Sequence, residues 1–293
     1  RVTLQAIRSQ QERPFTVAYN QFRSALYGDH PYAHTDLGTD ESVARITRSD
    51  LVAFYRTHFR PDNLVFIAVG PLDPAAVVAQ LERHLGDWQA PELPLAPQGA
   101  AVATVHPGIV RQVQSTQQST ILVGYGAAPV HSEDFAALKL IATYLGSGLS
   151  SRLFTELREK RGLAYEVSAF YPTRVAPSHF ITYIGTAPEN TRTCEEGLKR
   201  ETERLCDHCL DDSELRLAKN KLLGQYALSK QTNSQIAQLF GWYEAIGVGA
   251  DFDQEYTRRI DALDAATLRT VAQRTFHSPI VSLVGPAEAL AVV

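Results

Sequence analysis

Apolar residues recur along this chain at spacings of three to four in some stretches and two in others, which predicts interleaved helices and strands. Leu4 and Ile7, then Phe15, Ala18, Phe22, Ala25 and Leu26, predict two helices separated by Pro14, and Gly28-Asp29-His30-Pro31 stops the second. Ser49 to Phe59 reads as a helix capped by Ser49 or Asp50, with Leu51, Phe54, Tyr55 and Phe59 on its buried side. The unbroken apolar run Leu64 to Val69 suits a strand covered on at least one face. Gly70-Pro71 closes it, Asp73-Pro74 opens a helix through Leu85, and Pro91, Pro94, Pro97 and Gly99 make a linker. Val110 to Val113 and Ser119 to Tyr125 then read as strands, His131 to Leu145 as a helix, and Tyr165 to Tyr171 and His179 to Ile184 as strands. Helices at Thr191 to Leu205, Asp212 to Leu228, Asn233 to Ile246 and Asp264 to Phe276 follow, with a last strand at Ile280 to Val284.

The stretch Leu149 to Tyr165 organises this pattern. Leu149, Leu153 and Leu157 recur every four residues beside Phe154, one buried stripe of a short helix that Ser150 or Ser151 can cap. Lys160 and Arg161 suit the helix's last turn, and Gly162 at C′ permits the left-handed residue that turns the chain into a strand. Tyr165, Val167, Ala169 and Tyr171 share one face of that strand. Arg158 and Tyr165, seven residues apart across the turn, place a guanidinium and a phenol where both can converge on one point in a cleft. Spacing alone also allows a plainer reading, in which Tyr165 is a core tyrosine and Arg158 a surface residue.

One pair of elements occurs twice. Ile46 to Phe59, leading through Leu64 to Val69 into Gly70-Pro71, parallels Leu263 to Phe276, leading through Ile280 to Val284 into Gly285-Pro286. An offset of 217 residues separates Leu51 from Leu268 and Phe59 from Phe276. A repeat of that length predicts two related α+β domains rather than a solenoid. The expected division is 1–90 as the back half of a first domain, 91–112 as linker and 113–293 as a second domain. On equal repeats, roughly 100 residues of the first domain are expected before Arg1, and the lack of any methionine, including at position 1, fits a fragment or a processed chain.

Composition narrows the function. At 293 residues, 44% hydrophobic and 20% charged, the chain is an ordinary soluble globular protein long enough for two domains. No apolar run approaches the ~18 residues of a membrane span. A net charge of −4, with Lys and Arg scattered, argues against a nucleic-acid binder. Cys194, Cys206 and Cys209 are too few, and odd in number, for a disulfide framework. Cys206-Asp207-His208-Cys209 could be offered as a zinc or redox site, but a structural zinc draws four ligands from two knuckles and only Cys194 remains nearby. The cysteines are expected to pack.

Several motifs together resemble the M16 family of zinc metallopeptidases, the insulinase and mitochondrial-processing-peptidase group. They are Tyr27-Gly28-Asp29-His30-Pro31 with Leu37-Gly38-Thr39 and Glu41-Ser42-Val43; Phe59-Arg60-Pro61-Asp62-Asn63-Leu64 leading to Val69-Gly70; Leu145-Gly146 with Leu149-Ser150-Ser151-Arg152-Leu153-Phe154; and, strongest, Leu157-Arg158-Glu159-Lys160-Arg161-Gly162-Leu163-Ala164-Tyr165. The resemblance implies tandem homologous α+β sandwich domains of the M16 type, here with the first truncated at its N-terminus. It also implies a zinc site built from an H-x-x-E-H helix and a distal glutamate, with an open position for the attacking water. None of the nine histidines here lies in an H-x-x-E-H, and the repeat places that helix upstream of Arg1. Alignment of Val2 to Ile7 with the family's V-x-x-x-E-I segment puts Ala6 where the glutamate belongs, and Glu12 lies nearly two turns away on a different face.

In two-chain members of that family, one subunit carries zinc and the other contributes an arginine and a tyrosine spaced as Arg158 and Tyr165 are, to grip the substrate backbone. The resemblance thus implies a subunit without catalytic or metal-binding residues of its own, which supplies Arg158 and Tyr165 for substrate binding. It would act on peptides with a zinc-bearing M16 partner, or as a homodimer, in the cytoplasm or periplasm, with no zinc in this chain and no nucleic acid or membrane span. Two other readings stay open: a fragment of an active zinc metalloendopeptidase whose H-x-x-E-H lies upstream, and a structural subunit of the core type.

Overall fold

Pro14 parts the first apolar stretch into two helices, α1 (Val2–Gln11) and α2 (Pro14–Tyr27), and Gly28 closes the second. The computed structural model describes residues 1–95 and 107–291. Along it follow α3 (Asp40–Arg45), α4 (Arg48–His58), α5 (Pro74–Leu85), β1 (Gly108–Val113), β2 (Ser119–Ala127), α6 (Phe135–Gly146), β3 (Glu166–Phe170) and β4 (Ser178–Thr186). The remainder is α7 (Thr191–Asp207), α8 (Asp212–Leu228), α9 (Asn233–Ala245), α10 (Phe252–Ala262), α11 (Ala265–Thr275), β5 (Ile280–Gly285) and α12 (Ala287–Leu290). Two compact units emerge, one from Arg1–Asp40, Ala100–Leu223 and Thr257–Val293, the other from Glu41–Gly99 and Gly224–Tyr256. Of the expected linker 91–112, residues 96–106 lie outside the described residues, and Gly108 already opens β1. Among the described residues no helix is long and apolar enough to cross a membrane.

The first unit is built on a five-stranded sheet of order β1-β5-β2-β4-β3, antiparallel except where β1 and β5 run parallel. Alternate residues face opposite sides of a strand, and both sides are covered. On one side Tyr125 and Phe180 pack edge-on to Phe276 beyond α11, and the Tyr125 hydroxyl reaches Glu203 on α7 at 3.3 Å. On the other, Leu122, Ile181, Ile280 and Val284 meet Val17, Ala18, Phe22 and Leu26 of α2. Gly124 makes that contact possible: a Cβ there would lie 2.2 Å from the Phe22 ring.

His179 sits fully buried under α2. Its Nε2 lies 3.0 Å from the Tyr19 hydroxyl and its Nδ1 2.8 Å from that of Tyr27, so one ring nitrogen donates to a phenol oxygen and the other accepts. Burial first, then the Arg174 and Arg23 guanidiniums, push its pKa down to about 3. In the unfolded chain a histidine titrates near 6.5. Between those values the unfolded state binds the extra proton, so this stability is complete above about pH 6.5 and drains away as pH falls towards 3, by several kcal/mol on the linkage relation. Urea midpoints measured from pH 7 to pH 4 should therefore fall steeply in the native chain and flatten in His179→Gln; equal slopes would remove His179 as the cause.

The second unit corrects several expectations. Helix α4 is capped by Thr47, two positions before the nearer predicted candidate, in a reciprocal capping box with Asp50. Its apolar side is not buried: Leu51, Phe54, Tyr55 and Phe59 are each about 60% exposed. Residues 64–69 have strand-like composition but form no strand, since a strand exists only where another supplies its hydrogen bonds, and none of the described residues does. The repeated elements nevertheless match in detail. Asp264 caps α11 through the Thr267 N–H as Thr47 caps α4 through Asp50, and Phe59 and Phe276 end the two helices alike. In the second copy Leu268, Val271 and Ala272 are buried and β5 is paired on both sides.

Candidate functional site

Arg158 and Tyr165 stand on either side of the turn that closes the organising stretch, and the backbone there departs from an ordinary helix. Residues Phe154–Glu159 form a π-helical turn, in which the Lys160 N–H reaches back five residues to the Thr155 carbonyl at 3.0 Å. Such widened turns cluster at functional sites. Gly162 takes the left-handed φ of 63° expected of it, its N–H donates to the Arg158 carbonyl at 3.0 Å, and Leu163 N–H closes onto the Leu157 carbonyl at 2.9 Å. Leu153 and Leu157 anchor the turn in the core, but Leu149, predicted to join them, is 74% exposed because regular helix starts only after Ser151. Ser151 caps by position, its carbonyl accepting the Thr155 N–H, while its hydroxyl has no partner.

The Arg158 side chain is exposed, its guanidinium 4.8 Å from the centre of the Phe154 ring. Tyr165 is 62% exposed, and its N–H donates to the Gly185 carbonyl at 2.9 Å, one residue before edge strand β3 begins. The core-tyrosine reading therefore fails. Neither the guanidinium nor the phenol has a hydrogen-bond partner among the described residues, which leaves both able to bind a backbone carbonyl or carboxylate from outside. Just upstream, burial works against the Arg152 charge, but Glu201, 2.9 Å away, and Glu156 outweigh it and hold the guanidinium above its ordinary value. Glu156 is held below the usual carboxylate range by its hydrogen bond to Lys160. Arg152, Glu156 and Lys160 are thus locked in pairs, while Arg158 is not.

The described residues offer no set that fits a zinc ion. Ala6 is a half-buried methyl on α1, and Glu12 is an exposed residue at the helix's C-terminal cap. Among the described residues no group of three or more His, Cys, Asp or Glu could hold a metal. The expectation that the cysteines pack holds for Cys194, fully buried, but not for Cys209, which is exposed; Cys206 lies between, its thiol raised by burial. Sequence reasoning missed Lys221, whose ammonium bonds the Ser147 carbonyl and, at 3.3 Å, the Ser150 hydroxyl, fastening the loop that leads to Arg158. No local pattern could reveal it, because helix α8 brings it from more than seventy residues away.

Residues 45–222 match the family described as peptidase M16 inactive domain. An uncharacterized zinc protease of Streptomyces coelicolor is 28% identical over 294 residues, covering 97% of this chain and 63% of that protein. The chain thus spans less than two thirds of that relative's length. The crystal structure of a peptidase M16 inactive domain from Pseudomonas fluorescens superposes with a TM-score of 0.82 at 23% identity, over 97% of this chain and 69% of that one. A chain in Complex III2 from Candida albicans gives 0.84 at 17% identity, over 99% and 71%. These structural likenesses speak for the mixed helix and sheet fold.

Proposed function

Because this chain belongs to the peptidase M16 family through its inactive domain, we propose that it is a non-catalytic M16 subunit that offers Arg158 and Tyr165 to a peptide held by a zinc-bearing partner. The observation that carries this reading is the pair itself: two exposed hydrogen-bond donors on one turn, with polar ends unspent on the protein. A guanidinium and a phenol so placed would fix a peptide backbone and stabilise charge developing on its carbonyl. Ala6 in place of a ligating glutamate supports leaving the zinc to the partner.

In this reading, residues 1–90 are the back half of an N-terminal M16 domain, 91–112 its linker and 113–293 the C-terminal domain. The exposed apolar side of α4 supports it, as does the unpaired segment 64–69, because their counterparts α11 and β5 are buried by a complete domain.

A second reading is favoured by one finding, the zinc-protease name of a relative that extends well beyond this chain. There the whole protein would carry its own H-x-x-E-H and be the peptidase. Metal analysis separates the two. The purified full-length protein, without a partner, should hold no stoichiometric zinc and cleave no peptide, and should gain both on mixing with a zinc-bearing M16 subunit. One zinc per chain in the lone protein would establish the second reading instead.

A further inference from the structure

Arg158 is steadied by a ring rather than by hydrogen bonds. Its guanidinium lies 4.8 Å from the centre of the Phe154 ring and makes no hydrogen bond or ion pair among the described residues. Other cations of the molecule lie over rings too, but they donate as well: Arg23 to the Tyr32 and His34 carbonyls, Lys139 to the Tyr171 carbonyl and Lys230 to Asp253. Arg152, on the same stretch as Arg158, is fixed by spending donors on Glu201 at 2.9 Å and Glu156 at 3.4 Å. A cation held by a ring face spends none of its N–H groups on a carbonyl or carboxylate. Such a contact therefore restrains a long, flexible side chain and still leaves its forked donors for a ligand.

The backbone keeps the two side chains together. Phe154 and Arg158, four residues apart, are neighbours on one face of the π-helical turn. Leu153 and Leu157 root that turn in the core, and α7 approaches it so closely that a Cβ at Gly197 would lie 2.9 Å from the Leu157 Cδ2. The far end of the turn is tied as well, where the Gly162 and Leu163 N–H groups close onto the Arg158 and Leu157 carbonyls. Phe154 itself is half-buried, so its ring is held by the protein while part of it stays open to the guanidinium. We propose that Phe154 is the positioning residue of this site, keeping the Arg158 guanidinium over its ring so that the forked donors stay in one place for a peptide carbonyl or carboxylate. The inference rests on the role proposed above for Arg158 and adds what aims that side chain. Phe154 acts through Arg158 and touches no substrate.

Side-chain NMR of the full chain tests the contact without a partner. The Arg158 Nε–H and δ-methylene resonances should lie upfield under the ring's influence and return to the ordinary arginine range in Phe154→Leu; ordinary resonances in the native chain would overturn the assignment. Turnover of a fluorogenic peptide by the full-length chain mixed with a zinc-bearing M16 subunit tests the consequence. Phe154→Leu should lower kcat about two- to five-fold, the range of an exposed cation–ring contact, with little change in KM. Phe154→Trp should restore kcat, and Phe154→Leu should cost nothing further when added to Arg158→Ala. Fluorinated phenylalanines at position 154 keep the ring's shape and drain its face of electrons, so kcat should fall as fluorines are added, a response that packing alone would not give. Should Phe154→Leu fail to fold, that series decides. Native kcat in Arg158→Ala would remove the role of Arg158 and this inference with it. A slowed Arg158→Ala beside native kcat in Phe154→Leu, or a loss from Phe154→Leu that persists undiminished in Arg158→Ala, would overturn this inference alone.

Discussion

On the proposed role, Arg158→Ala, made in the full-length chain and mixed with a zinc-bearing M16 subunit, is expected to lower peptide turnover about 10²–10³-fold, the usual consequence of removing one transition-state hydrogen-bond donor. The side chain is exposed, carries an unpaired charge and stacks on the Phe154 ring, so its loss should leave the fold intact. Tyr165→Phe keeps the ring and removes one neutral donor, and its effect should be in the same direction but smaller. Gel filtration and zinc content must stay those of the native complex for the result to count. Full turnover in both variants would hand the chain to the structural-subunit reading, and loss of folding would mean the pair holds the protein together instead.

The largest effect on stability should come from Phe22→Ala. Phe22 is fully buried between α2 and the sheet, against Gly124 and edge-on to His179, with ring centroids 5.5 Å apart. Truncating a buried phenylalanine costs about 3–5 kcal/mol, a large share of the 5–15 kcal/mol typical of a folded domain. Urea unfolding followed by circular dichroism would register it as a fall in midpoint at unchanged slope. Gly124→Ala should also destabilise, since its methyl would overlap the ring. Placed on Phe22→Ala, however, that methyl enters the vacated space, so the double variant should be better than the sum by more than about 0.5 kcal/mol. A midpoint unmoved by Phe22→Ala would show that α2 is dispensable to the sheet.

Local pattern explains how much of this architecture is readable from sequence. Helix α8 starts and stops where the apolar spacing and Asp211-Asp212 place it, and Gly162 turns left-handed as its position requires. Periodicity reports which residues share a face, and it says nothing of what covers that face. Leu51 and Phe54 are aligned as predicted and yet exposed, and residues 64–69 have the composition of a strand without its hydrogen bonds. The π-helical turn at Phe154 is invisible for a related reason: Leu153 and Leu157 keep an i, i+4 spacing whichever carbonyl the next N–H selects. The covering of the sheet by α2, the burial of His179 and the anchoring of the loop by Lys221 each join residues more than seventy positions apart. The candidate pair could be singled out because both members lie within one turn, where spacing is informative.

The placement of β5 has a consequence for how the chain is made. This strand, synthesised after the other four, lies inside the sheet between β1 and β2. Strands β2, β4 and β3 are close in sequence and can pair among themselves while the ribosome is still at work, but β1 finds its neighbour only when Ile280–Gly285 has emerged. At ~5–20 residues per second, that leaves β1 waiting roughly ten to thirty-five seconds. Throughout that interval Leu122 and Val284's future neighbours stand as an open apolar edge, the kind of surface that chaperones hold and that nascent chains share with one another. Such a topology closes late and all at once.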